Sequence, residues 1–161
     1  MTKTFALIAA LLLGGMAGAH ELTVGDLQFI HPHIPQPAAT AQVAGGYLAI
    51  SNEGAQPDRL VGVSSRIAKS ASLHASSVDA NGVASMSPVA ALEIPAGDTV
   101  LLEPGGYHTM FMGLTGHFSE GDMLPVTLTF EKAGAIDMEF MVDPADGEAT
   151  EHDHDMAMPS D

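Results

Sequence analysis

Two segments near the end of the chain place apolar side chains at every second position. These are residues 126–130 and residues 136–142. A period of two is typical of strands that bury one face and expose the other. Because only the short connection Lys132-Ala133-Gly134 and its neighbours separate the two segments, we predict that they form a hairpin.

Shorter segments of the same kind fill the chain between Thr23 and Val142. Gly, Pro, Asn and Asp interrupt them at roughly ten-residue intervals, and no window keeps a helical period. The pattern predicts an all-β domain, an antiparallel sandwich or barrel of about seven to nine strands. The further strand candidates are residues 27–30, 47–51, 59–64, 72–76, 83–86, 99–102 and 107–112.

The beginning of the chain has the pattern of an export signal. Lys3 precedes an apolar run from Phe5 to Leu13, and Ala17-Gly18-Ala19 then provides the small residues of a signal-peptidase site. We expect residues 1–19 to be a signal peptide that is cleaved after Ala19. In a Gram-negative cell the mature protein would then lie in the periplasm, with residues 20–142 as its folded domain.

The end of the chain has the composition of a flexible tail. Residues 143–161 contain seven acidic residues, no basic residue and no large aliphatic side chain. Such a segment cannot bury enough apolar surface to offset the entropy lost on ordering. We therefore expect an acidic tail that does not belong to the folded domain.

Charge and composition exclude several classes of function. The net charge of −15, from 5 basic and 20 acidic residues, opposes binding to nucleic acid or to an anionic membrane surface. Cysteine is absent, which excludes disulfides, thiolate catalysis and a blue-copper centre, and leaves no acceptor for a lipid anchor. The chain instead holds 10 methionines and 8 histidines, and these residues carry the functional prediction.

Four of these residues fall on predicted strands. His108 and Met110 are two positions apart, so their side chains leave the same face. His74 and Met86 flank a predicted hairpin. With a three-residue loop at 79–81, His74 would lie directly opposite Met86, whereas a two-residue turn would offset the pair by three positions. A shared metal site requires the longer loop.

These donors suit monovalent copper. Thioethers are soft and polarisable ligands that select Cu(I) over zinc, calcium or magnesium, and neutral imidazole adds affinity. Both donor types survive in an oxidising compartment, where thiolates would form disulfides. Because protonated imidazole cannot bind a metal, the affinity should fall as the pH drops.

The other histidines and methionines of the domain are assigned ordinary structural positions. His31 and His33 are expected to be surface or hydrogen-bonded side chains, and His117 to lie in a solvated loop. Met112 shares the face of His108 and Met110, so the site and the core are equally good assignments for it. Core or packing positions are expected for Met123, Met138 and Met141.

The spacing of the four residues resembles the PCuAC family of periplasmic copper chaperones. The family motif is His, an optional Met, ten residues, Met, twenty-one residues, His, any residue, Met. His74, Met86, His108 and Met110 satisfy its required positions, and Ala75 stands at the optional Met. Further family signatures cover residues 20–142: Ala19-His20-Glu21, Gly46-Tyr47-Leu48-Ala49-Ile50-Ser51-Asn52, Asp58-Arg59-Leu60, Pro104-Gly105-Gly106-Tyr107-His108 and Thr127-Leu128-Thr129-Phe130.

The resemblance implies a cupredoxin-like β-sandwich that carries Cu(I) on those four ligands. It implies delivery to cytochrome oxidase, either directly to the copper site of an oxidase subunit or together with a Sco-type copper protein. One segment departs from the family. Many relatives have His-Pro-Trp and a basic residue where this chain has His31-Pro32-His33, which puts a docking role of that segment in doubt.

The tail is predicted to hold a second metal site. Its ligands would be His152, His154, Met156 and Met158, which alternate with Asp and Ala. Imidazole with carboxylate donors suits Cu(II), and the thioethers suit Cu(I). The alternative is an acidic solubilising tail with incidental histidines.

Two other functions compete with a copper chaperone. A general periplasmic copper buffer or resistance protein, or a zinc scavenger, would need only the metal ligands. An enzyme could use His20, as the mature N-terminus, in a histidine brace for oxygen chemistry. The chain has no nucleophile elbow, Walker loop or metalloprotease helix, so we predict a non-enzymatic carrier.

Overall fold

The computed structural model describes residues 21–145, and these residues contain strands and turns but no helix. The all-β prediction is therefore confirmed for this part of the chain. The eleven strands are β1 (Glu21–Val24), β2 (Leu27–Pro35), β3 (Val43–Asn52), β4 (Asp58–Ser64), β5 (Ala68–Val78), β6 (Ala84–Pro88), β7 (Leu92–Ile94), β8 (Thr99–Leu102), β9 (Tyr107–Leu114), β10 (Met123–Phe130) and β11 (Gly134–Asp143).

The strand count exceeds the predicted seven to nine because two short strands escaped the hydrophobic pattern. β1 pairs with β2 across a turn at Gly25, whose φ of 59° suits glycine. β7 has only three residues and pairs with β4. The predicted hairpin of β10 and β11 is confirmed, with Phe130 opposite Gly134.

The strands form one sheet that curls over its own core. Its order is β6-β5-β9-β8-β3-β2-β11-β10-β4-β7, with β1 beside β2. Strands far apart in this order also touch, because β4 packs on β5 and β7 on β3. Most neighbours are antiparallel as predicted, but β2 with β11 and β8 with β9 are parallel.

The core lies between the facing parts of this curled sheet. Alternate side chains of each strand point into it, as the period-two pattern predicted. Aromatic pairs join its two sides, with ring centroids 5.7 Å apart for Phe29 and Phe130 and 6.3 Å apart for Phe111 and Phe140. The fully buried aliphatic side chains are Ile34, Ile50, Leu60, Ile94, Val126, Leu128 and Val142.

Two neighbouring glycines of β3, Gly45 and Gly46, let other side chains pack directly against its backbone. A Cβ on Gly46 would lie 2.5 Å from Thr109 Oγ1 and 2.9 Å from the ring of Phe111. A Cβ on Gly45 would lie 2.7 Å from the hydroxyl of Tyr47. The two glycines therefore make room for core side chains on one face and for Tyr47 on the other.

A buried carboxylate ties β4 to the hairpin of β10 and β11. The backbone N–H groups of Arg59, Lys132 and Ala133 donate to Asp58 over 2.7–2.9 Å. Burial acts to raise the pKa of Asp58, but these hydrogen bonds outweigh it and hold the pKa below its usual value. The charged carboxylate thus accepts hydrogen bonds from two backbone N–H groups of the loop between β10 and β11.

Within residues 21–145 no helix is long and apolar enough to cross a membrane.

Candidate metal centre

The four predicted ligands lie on β5, β6 and β9, on the face of the sheet that points away from the core. Along β9, Thr109 and Phe111 are fully buried in the core. His108 and Met110 alternate with them and so leave the opposite face. The prediction that these two side chains share a face is confirmed.

His74 and His108 are direct cross-strand neighbours. The register of β5 and β9 places them opposite each other, and Met110 lies opposite Ser72. The two imidazole rings are stacked, with centroids 6.0 Å apart and an interplanar angle of 20°. Residues opposite each other in an antiparallel pair point to the same side. The pairing thus brings together two histidines that are far apart in the sequence.

The predicted register of Met86 is wrong. Met86 lies opposite Ser76, and His74 lies opposite Pro88. The connection between β5 and β6 spans residues 79–83 rather than three residues. Met86 is offset from His74 by two positions, and an even offset keeps both side chains on one face.

The side chain of Asp79 accounts for the longer connection. Its carboxylate accepts hydrogen bonds from the backbone N–H of Asn81 at 2.8 Å and of Val83 at 2.9 Å. These hydrogen bonds lower the pKa of Asp79. Gly82 adopts a φ of 80° and closes the turn. Asn81 and Gly82 therefore belong to a five-residue loop, residues 79–83, and do not form a two-residue hairpin turn.

The hydrogen bonding of His108 leaves one ring nitrogen free for a metal. Its Nδ1 lies 3.1 Å from the carbonyl oxygen of Gly106. A carbonyl can only accept, so Nδ1 carries the proton and Nε2 has a lone pair. His108 is 4% exposed, and Nε2 has no hydrogen-bond partner among the described residues. A buried acceptor without a partner costs stability, and a bound metal ion would satisfy it.

The other three candidate ligands are more exposed to solvent than His108. His74 and Met110 are half-buried, and the side chain of Met86 is 50% exposed on β6, the edge strand of the sheet. The Nδ1 of His74 lies 3.4 Å from the hydroxyl of Ser72. The four candidate ligands therefore comprise one buried donor, two half-buried donors and one accessible thioether, so that solvent reaches one side of the group.

Sequence reasoning missed the role of Tyr47 beside this site. The centroid of its ring lies 6.4 Å from that of His108, and burial raises the pKa of its hydroxyl. Tyr47 leans over Gly45, which is opposite Met110. A glycine two positions before a strand tyrosine was the available signal, but only the pairing of β3 with β9 shows that Gly45 lies opposite Met110.

The structure also places the other His and Met residues of the domain. Met138 is buried in the core and His117 is exposed, as predicted. Met123 is 36% exposed rather than packed, and Met141 is half-buried on the outer side of β11 rather than in the core. Met112 is half-buried on the face of His108 and Met110. His20 and the tail ligands His152, His154, Met156 and Met158 lie outside the described residues.

His31 and His33 are hydrogen-bonded, as predicted, but they also lie close to each other and to a third potential metal ligand. Their rings lie 4.3 Å apart, and both belong to a cluster with Asp143. Asp143 is the first residue assigned to the tail, yet it closes β11. No local sequence pattern predicts this cluster, because its members come from two strands far apart in the chain.

Comparison with known proteins shows which family the chain belongs to. The model of the LpqE-like family, described as "Putative lipoprotein LpqE-like", matches residues 27–142. The chain belongs to this family, which is the PCuAC family. A protein of Leifsonia xyli subsp. xyli named "Putative lipoprotein Lxx21020" is 36% identical over 94 residues, or 58% of this chain. The matched segment spans 56% of that relative's length.

Solved PCuAC domains share the fold. The apo PCuAC domain of PmoF1 is 30% identical, with a TM-score of 0.66, covering 78% of this chain and 99% of that domain. The copper-bound PCuAC domain of PmoF2 is 29% identical, with a TM-score of 0.66 and coverages of 78% and 98%. The Cu(I) form of DR1885 from Deinococcus radiodurans is 28% identical, with a TM-score of 0.59 and coverages of 79% and 83%.

Proposed function

We propose that this PCuAC protein is a periplasmic metallochaperone that carries Cu(I) without performing catalysis. The observation that carries the proposal is the buried Nε2 of His108, which has no partner within residues 21–145. His108 lies opposite His74 and on the face of two thioethers. A structural histidine would have both ring nitrogens satisfied. The relatives whose structures contain copper support the same assignment.

The ligand set explains why the cargo would be monovalent. Two neutral imidazoles and two neutral thioethers leave the charge of the ion unchanged, and the soft sulfur atoms favour Cu(I). A monocation in a site without thiolate is also held less tightly than in a cysteine site, which suits a protein that must release it. Neither hydrolytic nor redox chemistry is required of these side chains.

Release is proposed to start at the edge of the sheet. Met86 is the most exposed of the four ligands and belongs to the edge strand β6. A donor from a partner protein can replace its thioether while His74, His108 and Met110 still hold the ion. Cu(I) would then pass by stepwise ligand exchange. The net charge of −15 favours partners with a basic surface.

The proposed recipients are the copper site of a cytochrome oxidase subunit and a Sco-type copper protein. Both follow from the family resemblance of the motif residues. Export by the segment 1–19 would bring the protein to the compartment where those partners accept copper, and the lipoprotein names of its relatives agree with export.

The test of binding is an anaerobic titration of the mature protein with Cu(I) against a chromophoric chelator. We expect one tight equivalent that both Met86→Ala and His108→Ala abolish or weaken by at least about tenfold, since even an outer partner of a metal ligand costs about that much. Met123→Ala and His117→Ala are the matched controls, because each removes the same donor type from an exposed position away from the site. Unchanged binding in both ligand variants would contradict the site.

Delivery needs a separate measurement. The Cu(I)-loaded protein is mixed with the soluble copper domain of an oxidase subunit or with a Sco-type protein, and metal transfer is followed after the two proteins are separated. A chaperone transfers its ion faster than the chelator removes it. Retention of copper in the presence of both recipients would instead favour the copper buffer.

A further inference from the structure

A second cluster of metal-ligating side chains lies on the outer face, two strands away from the proposed copper site. It consists of His31 and His33 on β2 and Asp143 at the end of β11. One ligand atom from each residue lies within 4.8 Å of the other two. The cluster thus brings two imidazoles and one carboxylate within the reach of a single ion.

The backbone of His31 is bent in a way that gathers these side chains. Its φ is 48°, and no other non-glycine residue of 21–145 has a positive φ. The pairing of β2 with β3 shifts register between Ile30 and His33. Such bulges redirect side chains, and a strained residue persists only where its surroundings compensate for the strain. Here the bend carries the ring of His31 to within 4.3 Å of the ring of His33.

The hydrogen bonds of the cluster leave donor atoms for a metal. The Nδ1 of His33 lies 2.9 Å from the carbonyl oxygen of His31 and therefore carries its proton, which leaves Nε2 with a lone pair. The Nε2 of His31 lies 2.8 Å from Oδ2 of Asp143. An ion that replaces the shared proton of this pair would gain a nitrogen and an oxygen ligand at once.

We propose that His31, His33 and Asp143 bind one Cu(II) ion. The donor set has two nitrogens, one carboxylate oxygen and no sulfur, which suits Cu(II) rather than Cu(I). Among divalent ions of the first transition row, such a site holds Cu(II) most tightly. The half-exposed position of His31 leaves room for water as a further ligand. This site is distinct from the four-residue site and from the tail.

Tyr47 separates the two sites. The centroid of its ring lies 5.7 Å from that of His33 and 6.4 Å from that of His108. His33 and Tyr47 are direct cross-strand neighbours, so all three rings share one face of the sheet. The protein would therefore offer a nitrogen and oxygen site and a sulfur-containing site side by side, one for each oxidation state of copper.

The test is a Cu(II) titration of the full mature chain followed by electron paramagnetic resonance. Ag(I), a soft ion without redox chemistry under these conditions, first fills the sulfur-containing site. We compare wild type with His33→Ala and Asp143→Asn. Asn can still hydrogen-bond to His31 but lacks the charge of the carboxylate. We expect one Cu(II) equivalent fewer, or at least about tenfold weaker binding of that equivalent, and loss of its nitrogen hyperfine pattern in His33→Ala.

Controls separate this site from other copper ligands. His117→Ala should leave the Cu(II) count and spectrum unchanged, and both cluster variants should bind as many Ag(I) ions as wild type, because they keep every thioether ligand. Combined replacement of His152 and His154 should remove only copper held by the tail.

Three results would overturn the proposal. One is an unchanged Cu(II) count and spectrum in both cluster variants. Another is loss of Ag(I) binding along with Cu(II) binding in both variants, because the cluster would then not be a site separate from the four-residue site. The third is full displacement of this Cu(II) equivalent by equimolar Zn(II), which would reject copper as the preferred ion.

Discussion

Replacement of His108 by Phe should separate the stability of the protein from its ability to bind copper. Phe is an apolar ring of similar size and can occupy the buried position between His74 and Tyr47. The replacement removes both ring nitrogens. It therefore deletes the only ring atom of His108 that can act as a ligand, Nε2, together with a polar atom that has no partner among the described residues.

The size of the effect follows from two opposing contributions. An unsatisfied buried polar group costs about 1–3 kcal/mol, whereas the hydrogen bond from Nδ1 to Gly106 contributes about 0.5–1.5 kcal/mol. The carbonyl of Gly106 stays satisfied in the variant, because the backbone N–H of Ser76 also donates to it at 3.0 Å. We expect the metal-free variant to lie between about 0.5 kcal/mol less stable and about 2.5 kcal/mol more stable than wild type.

The assay is anaerobic thermal unfolding with and without Cu(I). At a free ion concentration of 100 times the dissociation constant, binding stabilises wild type by about 2.7 kcal/mol. This corresponds to a rise in Tm of roughly 5–10 °C for a chain of this size. The variant should show no such rise. An equal rise in both proteins would refute the role of His108 as a ligand, and a metal-free variant more than about 2 kcal/mol less stable would refute the reasoning on Nε2.

Three further predictions concern the fold and the tail. Gly46→Ala should lower the free energy of unfolding by about 2–3 kcal/mol, because its Cβ would meet Thr109 and Phe111, and denaturant titration measures the loss. Asp58→Asn should cost about 1–3 kcal/mol at pH 7 through weakened hydrogen bonds. The lowered pKa makes this contribution fully present above the unfolded value of about 3.9 and lost as the pH falls through the folded value, so melts from pH 7 to pH 2 should converge. A chain ending at Gly147 should bind fewer copper ions than the full mature chain, as counted by metal analysis after gel filtration.

Each of these predictions has a control or a contradicting result. Gly62→Ala is the control for Gly46→Ala, because its Cβ would be 3.4 Å from Thr129, an ordinary contact. A stability difference for Asp58→Asn that stays constant down to pH 2 would contradict the charge argument. An unchanged copper count in the chain ending at Gly147 would reject the tail site.

The sequence by itself determined the fold class and the identity of the four candidate ligands. The apolar residues that alternate with polar ones in 126–130 and 136–142 can lie on one buried face only if these segments are strands. The two strands pair as a hairpin, which depends only on contacts between neighbouring parts of the chain. The spacing of His108 and Met110 fixed a common face, because side chains of a strand repeat every two residues. The family motif then added His74 and Met86.

Only the tertiary structure decided which of these residues are neighbours. The period of a strand fixes the face of a side chain but not its partner across the sheet, which depends on loop closure and on pairing between distant segments. The loop set by Asp79 therefore gave Met86 a register that local turn rules missed. In the same way, the pairing of β5 with β9 placed His74 against His108, and the bend at His31 brought two histidines of β2 to Asp143 of β11.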